Sequence, residues 1–220
     1  MFKGILLDID NTLYNYDFAH NTALNFVNDF IMKKYLIADF MSFYEKARFQ
    51  INKNLKNTAA SHNRLLYFQL AFEHMGKFNL LEVKNAYTLY WNVFLNNMII
   101  NEGVQEFLQY YKDKKICLIT DLTAYIQYRK VEKLKIDEYI DYIVTSEEIG
   151  VEKPDKKIFT RALQKINLSS GDVCMIGDSY EKDIVGSLNI GIKPYWLTDK
   201  TICNQEITCF KNFNELIGKI

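Results

Sequence analysis

The chain has 220 residues, 49% of them apolar, enough to bury a core in one domain or in a domain with a large insert. Lys and Arg number 27 and so do Asp and Glu, and this zero net charge offers no electrostatic footprint for nucleic acid or an anionic membrane. No apolar stretch approaches the ~20 residues of a membrane helix and no basic leader opens the chain, so a cytoplasmic protein with a small-molecule partner is expected.

Residues 2–7 form a short apolar run ending in Asp8, too short for a helix and consistent with a buried parallel strand. From about 18 to 98 the pattern is helical, as in Ala23, Phe26, Val27, Phe30 and Ile31 or Leu65, Leu66, Phe68, Gln69 and Phe72, without strand punctuation. After Asn101-Glu102-Gly103 the pattern alternates. Helices are predicted over 103–113, 124–135, 155–166 and 181–189, and strands over 115–120, 141–145, 172–177 and 193–197.

Strands separated by helices imply an α/β fold with a doubly wound parallel sheet, and the helical block becomes an insert after the first strand. The expected division is a core of residues 1–14 and 99–220 with an all-helical domain of 15–98. Pro154 and Pro194 are expected in connections, and Gly171, Gly177, Gly186 and Gly191 in turns. Cys117 and Cys174 lie in apolar runs and read as core; Cys203 and Cys209 lack the spacing of a redox or zinc pair and read as structural.

Four polar signals each follow an apolar run: Asp8-Ile9-Asp10-Asn11-Thr12, Thr120-Asp121, Lys153-Pro154, and Gly177-Asp178 through Asp183. Parallel strands bring their carboxyl ends to one edge, where ligands bind, so these residues become neighbours. Asp8 and Asp10 share a face if the backbone stays extended, and two such carboxylates need a cation; oxygen ligands suit Mg2+ better than zinc. A solvated turn explains a lone Asp-x-Asp but not four coincident signals. All three histidines, His20, His62 and His74, fall in the helical block, away from this edge.

In order and strand placement, Asp8-x-Asp10-x-Thr12-Leu13-Tyr14, Thr120, Lys153-Pro154 and Gly177-Asp178 with Asp183 resemble the haloacid dehalogenase (HAD) superfamily of hydrolases, and the helical insert resembles its type 1 cap. The resemblance implies a Rossmann-like core and a Mg2+-dependent phosphatase acting through an aspartyl-phosphate. By it, Asp8 attacks phosphorus, while Asp10 protonates the leaving group and then activates water. Asp8, the main-chain carbonyl of Asp10 and Asp178 bind the metal; Asp183 supports Lys153 or a metal-bound water; Thr120 and Lys153 hold phosphoryl oxygens, with Thr12 offering a further hydroxyl. Dehalogenases of this family lack the acid/base residue that Asp10 represents.

Asp121 departs from the Asn common in related phosphatases. It reads either as a carboxylate accepting backbone hydrogen bonds in the turn or as a selector for a leaving group with a donor or positive charge near the phosphate. Tyr14, Tyr16, His20, Arg48 and Arg64 are candidates to face the leaving group, although packing or solvated helix faces also account for them. The stretch Thr145 to Asp155 is similar to nucleotidase and sugar-phosphate phosphatase members, which leaves open a nucleoside monophosphate, a sugar phosphate or a sialic acid 9-phosphate. Phosphotransfer of the mutase kind, a phospho-acceptor signalling module and a phosphate-binding protein without turnover are the competing readings. A receiver-type module fits poorly, because the candidate acceptor Asp8 follows the first strand.

Overall fold

β1 (Gly4–Leu7) is fully buried and lies at the middle of a six-stranded sheet. The computed structural model describes residues 1–200 and 206–220. Around β1 the order is β3-β2-β1-β4-β5-β6, all parallel, with β2 at Lys115–Thr120, β3 at Tyr142–Thr145, β4 at Val173–Gly177, β5 at Lys193–Leu197 and β6 at Thr208–Phe210. A strand covered on both faces needs apolar residues at every position, which explains why β1 and β4 read as continuous apolar runs. Leu7 is opposite Leu118 and Ile176, so the residues after β1, β2 and β4 emerge at one edge.

The chain divides into two compact units, residues 1–15 with 99–220 and residues 16–98. In the first, α5 (Val104–Tyr110), α6 (Ala124–Leu134), the short α7 (Ser146–Ile149) and α8 (Lys156–Ile166) link the strands. Asp155 caps α8 by accepting from the Lys157 amide at 2.9 Å, and Ile158, Phe159, Ala162 and Ile166 then pack over Leu6, Cys117, Ile119, Val144 and Met175. Cys117 and Cys174 are free, and burial pushes each thiol up to about 12. Cys203 lies outside the described residues, whereas Cys209 is half-buried on β6.

Four local expectations differ from the structure, the first being Gly186, which opens the helix Gly186–Leu188 rather than marking a turn. Pro194 lies inside β5, opposite Met175, rather than in a connection. It precedes Tyr195, the first β5 residue paired with β6, so its missing N–H falls where the ladder loses least. Residues 180–185 form a π-helical turn, leaving only Gly186–Leu188 as α9 of the helix predicted over 181–189. β6, three residues long, is too short to show a strand period.

The second unit consists of α1 (Tyr16–Tyr35), α2 (Met41–Asn54), α3 (Arg64–His74) and α4 (Leu80–Asn96), with α1 packed on α4 and α3 on both α2 and α4. Asn63 and Asn79 cap α3 and α4 through their side-chain oxygens. Ala23, Val27 and Ile31 are the buried stripe of α1; Phe26 and Phe30, one row aside, stand half in solvent. Phe68 is the hub of the aromatic core, stacked on Phe40 and tilted against Tyr44 at 5.2 Å. No described helix is long and apolar enough to cross a membrane.

Phe68→Ala should lower the stability of this unit by about 3–5 kcal/mol, measured by urea unfolding. His20 gives a pH signature. Burial, then the charges of Arg64 and Arg48, lower its pKa from the ordinary 6.5 to about 3. The unfolded chain therefore binds the extra proton first, and His20 removes stability progressively as pH falls from about 6.5 towards 3. His20→Asn should flatten the thermal-stability profile in that window.

Candidate active site

Lys153, in the loop before α8 and followed by a cis peptide to Pro154, is buried. Its ammonium donates to Asp8 Oδ1 at 2.5 Å, Asp183 Oδ1 at 2.7 Å and the Ile119 carbonyl at 3.1 Å, which occupies all three protons. Burial opposes its charge, but Asp183 and Asp8 outweigh this and raise its pKa well above the usual lysine value. Lys153 is thus a fixed cation at the end of the sheet.

Asp8 leaves β1 with its amide bound to the Ile176 carbonyl at 3.0 Å. Thr12 Oγ1 lies 2.9 Å from Asp8 Oδ2 and 3.3 Å from Asp178 Oδ1, so its one proton links two carboxylates. Burial is the chief cause that raises Asp8 to about 7, with Asp183 adding to it and Lys153 opposing it. Burial and then Asp8 raise Asp178 to about 6. Asp183 is also raised, by burial first, and its second oxygen accepts from the Ser179 amide at 3.0 Å. One ligand oxygen each from Asp8, Asp178 and Asp183 lies within 4.8 Å of the others. Crowded carboxylate oxygens that resist ionising together fit a hard cation such as Mg2+.

Asp10 does not share this arrangement with Asp8. Its carboxylate meets Lys130 Nζ at 2.6 and 2.9 Å and Gln127 Nε2 at 3.2 Å, and the Tyr14 hydroxyl also donates to it. Burial pushes its pKa up, yet Lys130 and these hydrogen bonds overcome it and leave the pKa lowered. Asn11 at φ +60° turns the chain immediately after Asp10. Thr120, buried at the end of β2, accepts from Gln127 Nε2 at 2.7 Å.

Gln127 and Lys130 escape a motif reading. They are fully buried on α6 with Ile126 and Leu134, and a polar pair three residues apart on an otherwise apolar stripe was the available signal. Asp121 Oδ1 accepts from the Lys153 amide at 2.9 Å and Oδ2 pairs with Lys182 at 2.9 Å. Of the leaving-group candidates, Tyr14 is fully buried against Asp10, while Tyr16, His20, Arg48 and Arg64 belong to the helical unit. Within the first unit a cleft of about 360 Å3 opens beside the acidic cluster, lined by Asn11, Asn101, Asp178, Thr198 and Lys211 among others.

The family model for haloacid dehalogenase-like hydrolases matches residues 2–191. A ribulose-1,5-bisphosphate 5-phosphatase of Halopiger xanaduensis is 32% identical over 204 residues, covering 88% of this chain and 83% of that protein. Human N-acylneuraminate-9-phosphatase is 26% identical over 87% of the chain and 80% of its own length. Escherichia coli pyrimidine 5'-nucleotidase YjjG is 42% identical over a shorter 84 residues, 38% of the chain and 37% of that protein. Among solved structures, the HAD hydrolase YfnB of Bacillus subtilis superposes with a TM-score of 0.73 at 19% identity, covering 98% of this chain and 96% of that one.

Gly177 ends β4 where a Cβ would stand 2.3 Å from Asp183 Oδ2. Gly177→Ala should therefore push that carboxylate away from Lys153 and reduce turnover at least a hundredfold in a protein that still folds, read by steady-state kinetics beside circular dichroism.

Proposed function

The chain belongs to the haloacid dehalogenase-like hydrolases, and from that membership we propose that it hydrolyses small-molecule phosphate monoesters through an aspartyl-phosphate on Asp8. The observation that carries the reading is the pairing of a buried carboxylate, Asp8, held by Lys153 and Thr12, with a second, Asp10, held two residues on by a different set of groups. One carboxylate is positioned to attack and the other to move a proton. That division is what transfer to a carboxylate followed by hydrolysis requires.

In the first step an Asp8 oxygen bonds to phosphorus as the bond to the leaving oxygen breaks, and Asp10, which must enter this step protonated against the pull of Lys130, gives that oxygen its proton. In the second, water attacks the phosphorus, Asp10 takes the water's proton and the Asp8 carboxylate is released with inorganic phosphate. Lys153 offsets the charge on Asp8 and on the phosphoryl oxygens, and Thr12 and Thr120 supply hydroxyls. Lys130, Gln127 and Tyr14 orient the Asp10 carboxylate.

Asp8, Asp178 and the main-chain carbonyl of Asp10 would hold Mg2+. When bound, the ion supplies positive charge that relieves carboxylate repulsion and stabilises the phosphoryl group. Residues 1–15 and 99–220 act as the catalytic core and 16–98 as the cap. Phosphatases named for ribulose bisphosphate, N-acylneuraminate 9-phosphate and pyrimidine nucleotides among the relatives support a sugar or nucleoside leaving group.

Phosphate release from a panel of sugar phosphates and nucleotides tests the reading. Release should require Mg2+, stop on chelation, and vanish in Asp8→Asn. Release that survives Asp8→Asn, or transfer of phosphate between sugars without net release, would overturn it. Lys130→Met should lower kcat about ten- to a hundredfold with little change in KM, because it loosens a proton-transferring group without removing a substrate contact.

A further inference from the structure

Lys182 lies in the π-helical turn after β4, and its ammonium reaches two other loops of the same unit. It donates to Asp121 Oδ2, just past β2, at 2.9 Å and to Glu152 Oε2, in the loop that carries Lys153, at 3.5 Å. Both carboxylate side chains are 9% exposed and that of Lys182 is 39% exposed, so the acids are nearly out of water and the lysine reaches in to them. Burial opposes the Lys182 charge, but Asp121 and then Glu152 outweigh it and raise the pKa.

Asp121 follows Thr120 and acts on Lys153 from two directions. Its Oδ1 accepts from the Lys153 amide at 2.9 Å, and after burial, Asp183 and Asp8 its charge is the next to act on the Lys153 ammonium. An Asn at this position would offer the amide the same kind of oxygen without a charge, so the charge is not needed for that contact. Beside Thr120 and with little water around it, the charge opposes an arriving phosphoryl anion unless a cation cancels it. Among the described residues Lys182 is the one cation whose ion pair Asp121 makes.

We propose that Lys182 is a positioning residue for the hydrolysis proposed above, on which this inference rests, and that it acts on Lys153 through Asp121 and Glu152. It cancels the charge of Asp121, which would otherwise repel the phosphoryl group, and it draws the chain after β2, the loop carrying Lys153 and the turn after β4 to one point. Its neighbour in that turn, Asp183, meets the Lys153 ammonium at 2.7 Å. Lys153 is thus held at its ammonium by Asp183 and at its amide by Asp121, and Lys182 is joined to the first by the chain and to the second by an ion pair.

Steady-state kinetics on a hydrolysed phosphate ester test the assignment. Lys182→Met should raise KM about tenfold and lower kcat severalfold, because Asp121 is left uncompensated and the Lys153 loop loses a tie. Adding Asp121→Asn to Lys182→Met removes the stranded charge but not the missing tie, so it should restore most of the KM and little of the kcat. Lys182→Arg, which keeps the charge, should stay much closer to the wild type in KM than Lys182→Met does. Lys182→Gln carries the same comparison if Lys182→Met does not fold. A wild-type KM in the folded single variant, or a raised KM that Asp121→Asn does not restore, overturns the assignment.

A second arm needs no turnover. Inorganic phosphate with Mg2+ should raise the melting temperature of the wild type and of the Lys182→Met/Asp121→Asn double variant more than that of Lys182→Met. Equal shifts in all three proteins, zero included, would overturn the charge cancellation. Absence of phosphate release from every ester by the wild type would instead count against the phosphatase reading, and the melting arm would still decide whether Lys182 neutralises Asp121 beside a bound phosphate.

Discussion

The ammonium of Lys153 holds together the acidic cluster at the end of the sheet. Three carboxylates converge where the chain leaves β1 and β4, and two of them, Asp8 and Asp183, touch this one buried cation. A buried ion pair is weak evidence of stability, because desolvation consumes much of the attraction, but removing one partner leaves a charge that nothing compensates. Its value here is positional. Lys153 fixes the Asp8 oxygen it contacts, leaves the other to Thr12, and ties β2 to the group through the Ile119 carbonyl. Asp183, close enough to Gly177 to exclude any side chain there, holds Lys153 from behind.

Separate handling of Asp8 and Asp10 is the second constraint. Two carboxylates two residues apart would repel in a common pocket and titrate together. The buried pair Gln127 and Lys130 on α6 gives Asp10 an environment of its own. Gln127 also donates to Thr120, so the ends of β1 and β2 are coupled through one helix. Asp121 and Lys182 form a further link, between the loops after β2 and β4, which accounts for an acidic residue beside so many others.

Much of this was legible in the chain. β1, β2, β4 and β5 stand out because buried parallel strands are continuous apolar runs, and the polar residues ending them follow from the common edge. Gln127 and Lys130 were harder to find, because a motif reading follows strand ends and these residues come from the buried face of a helix. Pro194 misled because its cost depends on which strand is paired beside it, and β6, only three residues long, carries no period. Arg64 is one of the leaving-group candidates of the sequence, and within the helical unit it is buried with Tyr16, Tyr44, Tyr67 and Tyr90 acting on its charge.

The central claim is that the carboxylate of Asp8 receives the phosphoryl group. It is tested most directly by quenching the enzyme in acid during turnover with Mg2+ and a hydrolysed ester, digesting it, and weighing the peptides. The account predicts a phosphoryl adduct on the peptide containing Asp8, lost on treatment with hydroxylamine and absent from Asp8→Asn. Full turnover with no adduct under single-turnover quench, or an adduct on another residue, would contradict it.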